Sequence, residues 1–349
     1  MKTITYVQNG KGEQEPVPVR STQGCTLFNA NGDVNSVGTG FKYAIDTMTY
    51  IKTQITEQKF YQVAPADFMP VSVGVGNFSE QIITNLTFSN GGTFASSVSQ
   101  TANNTRIPSS DVSLSKKAQA IRTFQNQITY NIVEIEQALQ ANNWDVVYAK
   151  ERARKTMFDL GIQEVAFLGL TGDTEITGLL NNGDATINTS LITAPISGLN
   201  AAGIATFVAG LISTYFTATN STQMPNKFVM PYTDYIATAG ALTAGTVGTY
   251  PLPLMDYLLM AFKRQTGNAN FEILPLAYAD AARNTAAGIN KQCYALYNSE
   301  PTTMQMELPV GYTVTTPNSL NNFSFQNVAY ARFGGLGLFR NLELLYFQY

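Results

Sequence analysis

The chain contains no histidine, two cysteines and one tryptophan, and only 13% of its 349 residues carry charge. Each scarcity excludes something. Without imidazole there is no Ser-His-Asp or Cys-His nucleophile system, no histidine metal centre, and no base that titrates unaided near neutrality. Cys25 and Cys293 match no zinc spacing, and two buried thiols in a reducing compartment are the expected state. Long apolar runs are missing too. The most apolar window, Leu252 to Phe262, is short and broken by Asp256, so no membrane span is expected. The opening MKTITYVQNGKGEQEP turns polar before an apolar run forms, so no signal peptide is expected. With 21 basic and 24 acidic residues the net charge is −3, and no basic arm exists to neutralise phosphates.

Amides, hydroxyls and glycines take the place of the missing charge. Such a surface repels neighbours weakly and suits a protein that packs against copies of itself. At 44% hydrophobic the chain can still bury a large core, shared among two or three subdomains.

The longest helical stretch runs from Ala138 to Leu170, without proline and with one glycine, Gly161. Val146, Ala149, Ala153, Met157 and Leu160 form one apolar stripe on it. Trp144, Val147, Phe158, Ile162 and Val165 form another. Lys150, Glu151, Arg152, Arg154 and Lys155 give it a charged waist, with Glu151–Lys155 and Lys155–Asp159 spaced to pair. The helix reads as a long core helix with a solvated face or, more sharply, as a brace between substructures. Ahead of it lie an arm over residues 1–40, with a turn at Asn9-Gly10, and an amphipathic helix from Phe41 to about Tyr61.

Residues 70–115 read as a two-stranded excursion. Val71, Val73 and Val75 alternate, Ile82, Ile83, Leu86 and Phe88 precede a turn at Asn90-Gly91-Gly92, and the return is nearly all Ser, Thr, Asn, Gln and Ala. It is too poor in apolar residues to fold alone and must lie on something else. A strand is expected from Ile121 to Tyr130, then a short helix from Ile132. Further on, helices at 199–219 and 254–264 alternate with strands at 227–230, 271–276 and 292–297, an α/β layer. At the end, Met304, Met306 and Leu308 alternate, and Leu336, Leu338, Leu342 and Leu344 share one face of a long strand interrupted by Arg340.

Little of this carries reaction chemistry. Asp173 and Glu175 offer a carboxylate pair for a hydrolase or a weak cation site, though a solvated turn is the plainer reading. Gly334-Gly335-Leu336-Gly337 lacks the Lys-Ser/Thr of a phosphate loop, so its glycines are read as allowing close backbone approach in a sheet. The basic residues of the waist interleave with acids, which favours salt bridging over nucleic-acid binding. Trp144 is read as a core anchor.

The order of parts resembles phage major capsid proteins with the HK97-type fold, from Phe41 to Tyr349. The likeness is carried by Ile107-Pro108-Ser109-Ser110-Asp111, by Ile128-Thr129-Tyr130-Asn131-Ile132-Val133-Glu134 entering the long helix, by Gly169 and Gly178-Leu179-Leu180-Asn181, and by Arg332-Phe333-Gly334-Gly335-Leu336. The resemblance implies an α+β fold with an N-terminal arm and helix (1–69) and an extended loop (70–115) laid over the next subunit. It further implies a peripheral domain with a spine helix (116–194 and 301–349) and an axial domain (195–300). It implies a non-enzymatic coat subunit without cofactor or metal, forming hexamers and pentamers around double-stranded DNA in the virion after assembly in the host cytoplasm. Portal and possible scaffold or decoration proteins would be its partners, and no membrane would. Phe88, Phe94, Arg106, Lys150, Arg152, Arg154 and Lys155 are the expected inter-subunit contacts. No lysine lies between Lys59 and Lys116, so no cross-link from that loop is expected. An encapsulin-like compartment shell is the nearest alternative, and a carboxylate-dependent hydrolase a more distant one.

Overall fold

The computed structural model describes residues 5–8, 14–17, 59–75, 78–79, 81–92, 110–142, 145–242, 252–321 and 323–349, in two units, Met1–Tyr61 and Gln62–Tyr349. In the first unit β1 (Thr5–Gln8) pairs antiparallel with β2 (Gln14–Val17), Gln8 opposite Gln14, so the Asn9-Gly10 signal falls in the connection. The helix expected from Phe41 lies outside the described residues.

The second unit opens with β3 (Val71–Val73), β4 (Gln81–Gly92), β5 (Ser110–Asn131) and the helices α1 (Ile132–Asn142) and α2 (Val146–Leu168). β6 (Thr186–Asn188), α3 (Ala201–Ala218), β7 (Lys227–Pro231), α4 (Tyr232–Gly240), α5 (Leu254–Thr266), β8 (Glu272–Leu276) and β9 (Cys293–Tyr297) follow. The chain ends in β10 (Met304–Leu308), β11 (Val310–Val314), β12 (Asn318–Asn321), β13 (Ser324–Gly334), β14 (Leu336–Leu338) and β15 (Leu344–Gln348).

Three sheets organise this unit. The largest core surrounds the sheet β6-β15-β9-β7-β8. Its central strands are buried on both faces, and their alternation feeds two cores. Phe228, Tyr294, Leu296, Leu345 and Phe347 point to one side, against Ile204, Val208, Leu211, Leu258 and Phe262 of the helices. Val229, Cys293, Ala295, Tyr297, Leu344 and Tyr346 point to the other, against Phe167, Leu179 and Met304. Burial pushes the Cys293 thiol up to about 12, as expected of an inert core cysteine; Cys25 lies outside the described residues. Among the described residues α3 alone is long and apolar enough to cross a membrane, but its buried stripe, Ile204, Val208, Leu211 and Tyr215, packs as a core helix face. The sheet also draws in β6 and β15, from either side of the 195–300 stretch expected to form the layer.

The second sheet runs β11-β13-β5-β4, with β12 on β13, and the third runs β14-β10-β3. Four expectations change here. The helical stretch from Ala138 is two helices, because Asp145 is extended and its carboxylate caps α2 by accepting from the Tyr148 amide at 2.9 Å; Trp144 lies outside the described residues. Asn90-Gly91-Gly92 is not a turn: Gly91 pairs with Asp111 and Gly92 with Ser110, since a ladder needs only backbone. β3 leaves the excursion and joins β10 in parallel, Val71 opposite Met306. The last strand is two strands in different sheets, parted by a turn at Asn341–Glu343. The buried Glu343 carboxylate holds that turn, accepting from Thr303 at 2.6 Å, Asn298 at 3.2 Å and Arg340 at 3.1 Å.

Candidate assembly surfaces

The spine helix α2 is fastened at three levels. At its start Lys150 Nζ donates to the Thr129 carbonyl at 3.0 Å and pairs with Glu134 at 2.7 Å, tying α2 to β5 and α1. In its middle, Arg154 is only 3% exposed. Its guanidinium donates to Tyr312 Oη at 3.0 Å, to the Asn126 carbonyl at 3.2 Å, to Asn327 Oδ1 at 3.1 Å and to Glu151 at 2.5 Å. Asn327 donates in turn to Glu151, closing a ring that joins the helix to β5, β11 and β13. Arg154, expected at a subunit contact, is buried and bonded within its own chain, an internal fastening. A signal existed, because Arg154 falls at helical spacing with Val147, Phe158, Ile162 and Val165. Of the two apolar stripes, that one is turned inward, with Phe158 and Val165 buried, whereas Met157 on the other is 63% exposed.

At its end the helix is caught by backbone. Gly169 adopts φ +75°, and the Leu179 and Leu180 amides donate to Ala166 and Phe167 at 2.9 Å. A Cβ on Gly178 would lie 2.4 Å from the Phe167 carbonyl carbon, and one on Gly335 would lie 2.4 Å from the Thr177 oxygen. Asn181 bridges the crossing, accepting from the Gly178 amide at 2.6 Å and donating to the Leu168 carbonyl at 2.5 Å. The glycines and asparagine that carried the resemblance are therefore one knot. Gln163, which the sequence reading passed over, adds a tie on the same helix by accepting from the Val63 amide at 2.8 Å.

The carboxylate pair is spent on structure. Arg122 Nε binds Asp173 at 2.7 Å and its Nη2 binds Glu175 at 2.8 Å. The guanidinium, helped by the Glu175 amide, holds Asp173 below the usual carboxylate range. Two carboxylates clamped on one arginine are poorly placed to act as acid and base across a sugar.

What faces outward is a ribbon and a helix flank. Among the described residues β5 pairs over Ser110–Ala120 with β4 alone, and only from Ile121 onward with β13. Asp111, Val112 and Ser113 are exposed, Val112 at 57%. At about 3.3 Å per residue the 22-residue β5 spans roughly 70 Å, half of it outside the body. On α2, Arg152 and Lys155 are exposed, and Lys155 pairs with Asp159 at 3.5 Å. Glu151 has turned to Arg154 rather than to Lys155. Farther along the helix lies an apolar groove of about 230 Å³, lined by Phe124, Met157, Ile162, Leu170 and Phe333, with Glu164 as its charged residue. Phe88 stands on β4, and Phe94 and Arg106 lie outside the described residues.

The sequence model of the major capsid protein family matches residues 95–349. The chain belongs to that family. The fold of this coat protein is similar to that of the capsid of Myoviridae phage XM1, at a TM-score of 0.71 and 19% identity over 87% of this chain and 97% of that one. Structures from Mycobacterium phage Che8 and Gordonia phage Cozz match at a TM-score of 0.52 each, with 13% and 10% identity. They cover 86% and 94% of this chain, and 96% and 98% of theirs. No curated protein matches. The coat protein thus has the HK97-like fold and is a structural component of the virion that self-assembles into capsomers; the enzyme and encapsulin-like readings are not favoured.

Proposed function

We propose that this coat protein forms the hexamers and pentamers of an icosahedral phage head, each subunit laying its β4–β5 ribbon across a neighbour. The observation that carries this is the pairing of β5, which over Ser110–Ala120 has β4 as its one strand partner among the described residues. Two strands are marginal in water, and a sister subunit supplies the missing cover. The apolar groove beside Met157 and Ile162 offers a seat for Phe88 or Phe94 of a neighbour, and Arg152 and Lys155, exposed elsewhere on α2, supply charge for further contacts between subunits. The layer around β9 and β15, about 186–300 with 344–349, takes the axial position, and α1, α2 and the β5–β13 sheet the peripheral one. Ring closure by heterologous contacts then multiplies weak interfaces through the shell. Double-stranded DNA is enclosed without sequence-specific contact, in keeping with the net charge of −3. Portal, and a scaffold or decoration protein where one is used, complete a head assembled in the bacterial cytoplasm.

Sedimentation and electron microscopy of the purified full-length chain test this reading. Closed particles are expected. A chain with residues 90–112 replaced by a tight turn is expected to keep its circular dichroism and melting behaviour while stopping at free subunits. Particles of normal yield from the shortened chain would overturn the proposed role of the ribbon.

A further inference from the structure

The ribbon leaves the body at one point. Along β5 the pairing with β4 ends at Ala120, opposite Gln81, and the pairing with β13 begins at Ile121, opposite Gly334. Among the described residues no ladder spans both halves: β5 is the one strand that runs through both, the chain before β4 leads back to β3, and bending at Ala120–Ile121 breaks none of the described ladder bonds. Side chains must set the angle. Gln119, Ala120 and Ile121 are buried at 7%, 8% and 4%, while Ala118 is exposed. Gln119 Nε2 donates to the Gly335 carbonyl. Its amide occupies a slot that exists because two glycines flank it: a Cβ on Gly337 would lie 2.9 Å from Gln119 Oε1, and one on Gly334 would lie 3.1 Å from Nε2. One residue past the joint, Arg122 grips Asp173 and Glu175. One residue before the plug the β4–β5 register shifts, between Ile83 and Asn85 opposite Ala118 and Lys117, which loosens the ladder there.

We propose that Gln119 is a plug that locks the direction in which the ribbon leaves the body, seated in the Gly334–Gly337 slot and releasable within the folded subunit. Releasability follows from its incomplete satisfaction. Gln119 Oε1 is buried without a hydrogen-bond partner, so withdrawing the side chain into water recovers hydration that the seated amide lacks. Seated, the plug holds one ribbon angle. Withdrawn, it leaves a strand joint next to an irregular register, and the ribbon swings while the body stays folded.

The test uses the full-length chain with Cys25→Ser and spin labels at Val112→Cys and Asp159→Cys, both exposed, with Cys293 buried and out of reach of the label. Dilution into unlabelled chain confines the measured distance to one subunit, so the result does not depend on the shell reading. The unmodified plug is expected to give a narrow distance distribution. Gln119→Ala, which empties the slot, and Gly337→Ala, which fills it, are both expected to widen the distribution. Gln119→Met keeps the length and loses the hydrogen bond. With it, amide exchange at 118–121 is expected to rise about fivefold, roughly what one ordinary hydrogen bond is worth. Gly311→Ala, whose Cβ would meet open space, controls for glycine replacement as such and is expected to change nothing. Distance distributions in Gln119→Ala and Gly337→Ala indistinguishable from the parent, with exchange unaltered in Gln119→Met, would overturn the proposal.

Discussion

The β9–β15 sheet and the β4–β5 ribbon are built from the same backbone pairing, yet they stand in opposite relations to water. Every residue of β9 and β15 is buried, and alternate side chains reach two different cores. Fully burying a Phe or Leu side chain contributes about 1.5–3 kcal/mol, so this layer is stable on its own subunit's resources. The ribbon has a comparable ladder, with Asp111, Val112 and Ser113 left in solvent. A ladder therefore fixes shape, while burial decides which region is complete inside one chain and which waits for another.

The sharpest way to break the contrast is to truncate one side chain in each region. Phe228 stacks against Tyr294 at 5.7 Å and meets Phe262 at 5.1 Å; Phe228→Ala is expected to cost about 3–5 kcal/mol in urea unfolding. Val112→Ser is expected to stay within about 0.5 kcal/mol on the subunit and to lower particle yield instead. Next in size comes Arg154→Ala, which opens the buried ring, leaving Glu151 to Asn327 alone and removing the donor to the Asn126 and Asn327 carbonyls, and is expected to cost about 3 kcal/mol. Lys155→Ala, one position on, removes an exposed ion pair and is expected to cost less than about 0.5 kcal/mol.

Two smaller effects are read through pH. Glu307 sits buried in β10, and burial raises its carboxyl above the ordinary 4.5. The folded state then binds the proton more tightly than the unfolded one, so its contribution is full below that ordinary value and is lost as pH rises through the raised one. Glu307→Gln is expected to melt a few degrees higher than the parent at neutral pH, with the gap closing at acid pH. Asp173 behaves oppositely. Its carboxyl is lowered from 3.8 by Arg122, so its contribution is present above the ordinary value and fades as pH falls through the lowered one. Asp173→Asn is expected to flatten that acid limb slightly, as seen by melting temperature from pH 5 downward.

Much of the buried layer was legible because burial leaves a period. The runs at 227–230, 292–297 and 254–264 are bounded by turns and carry strand or helix spacing, and each became the expected element. Legibility failed where one residue's partner lay far along the chain. Glu343 as the centre of a turn and Arg154 as a buried ring depend on groups brought in by other elements, and a local reading assigns such residues to the surface; the Asp145 cap on the Tyr148 amide is local and was passed over. The ribbon was read in outline from its poverty in apolar residues. Its register was not, because a ladder through Gly91 and Gly92 carries no side-chain signature. The glycine knot of Gly169, Gly178 and Gly335 was seen as a set of motifs, but only the fold joins them.

Hydrogen exchange on assembled particles and on subunits dissociated from them addresses most directly whether the ribbon is completed by a sister molecule. Amides of β9 and β15 should be equally protected in both, whereas those from Val112 to Lys117 should slow only in the particle. A ribbon as well protected in the free subunit as in the shell would contradict the account.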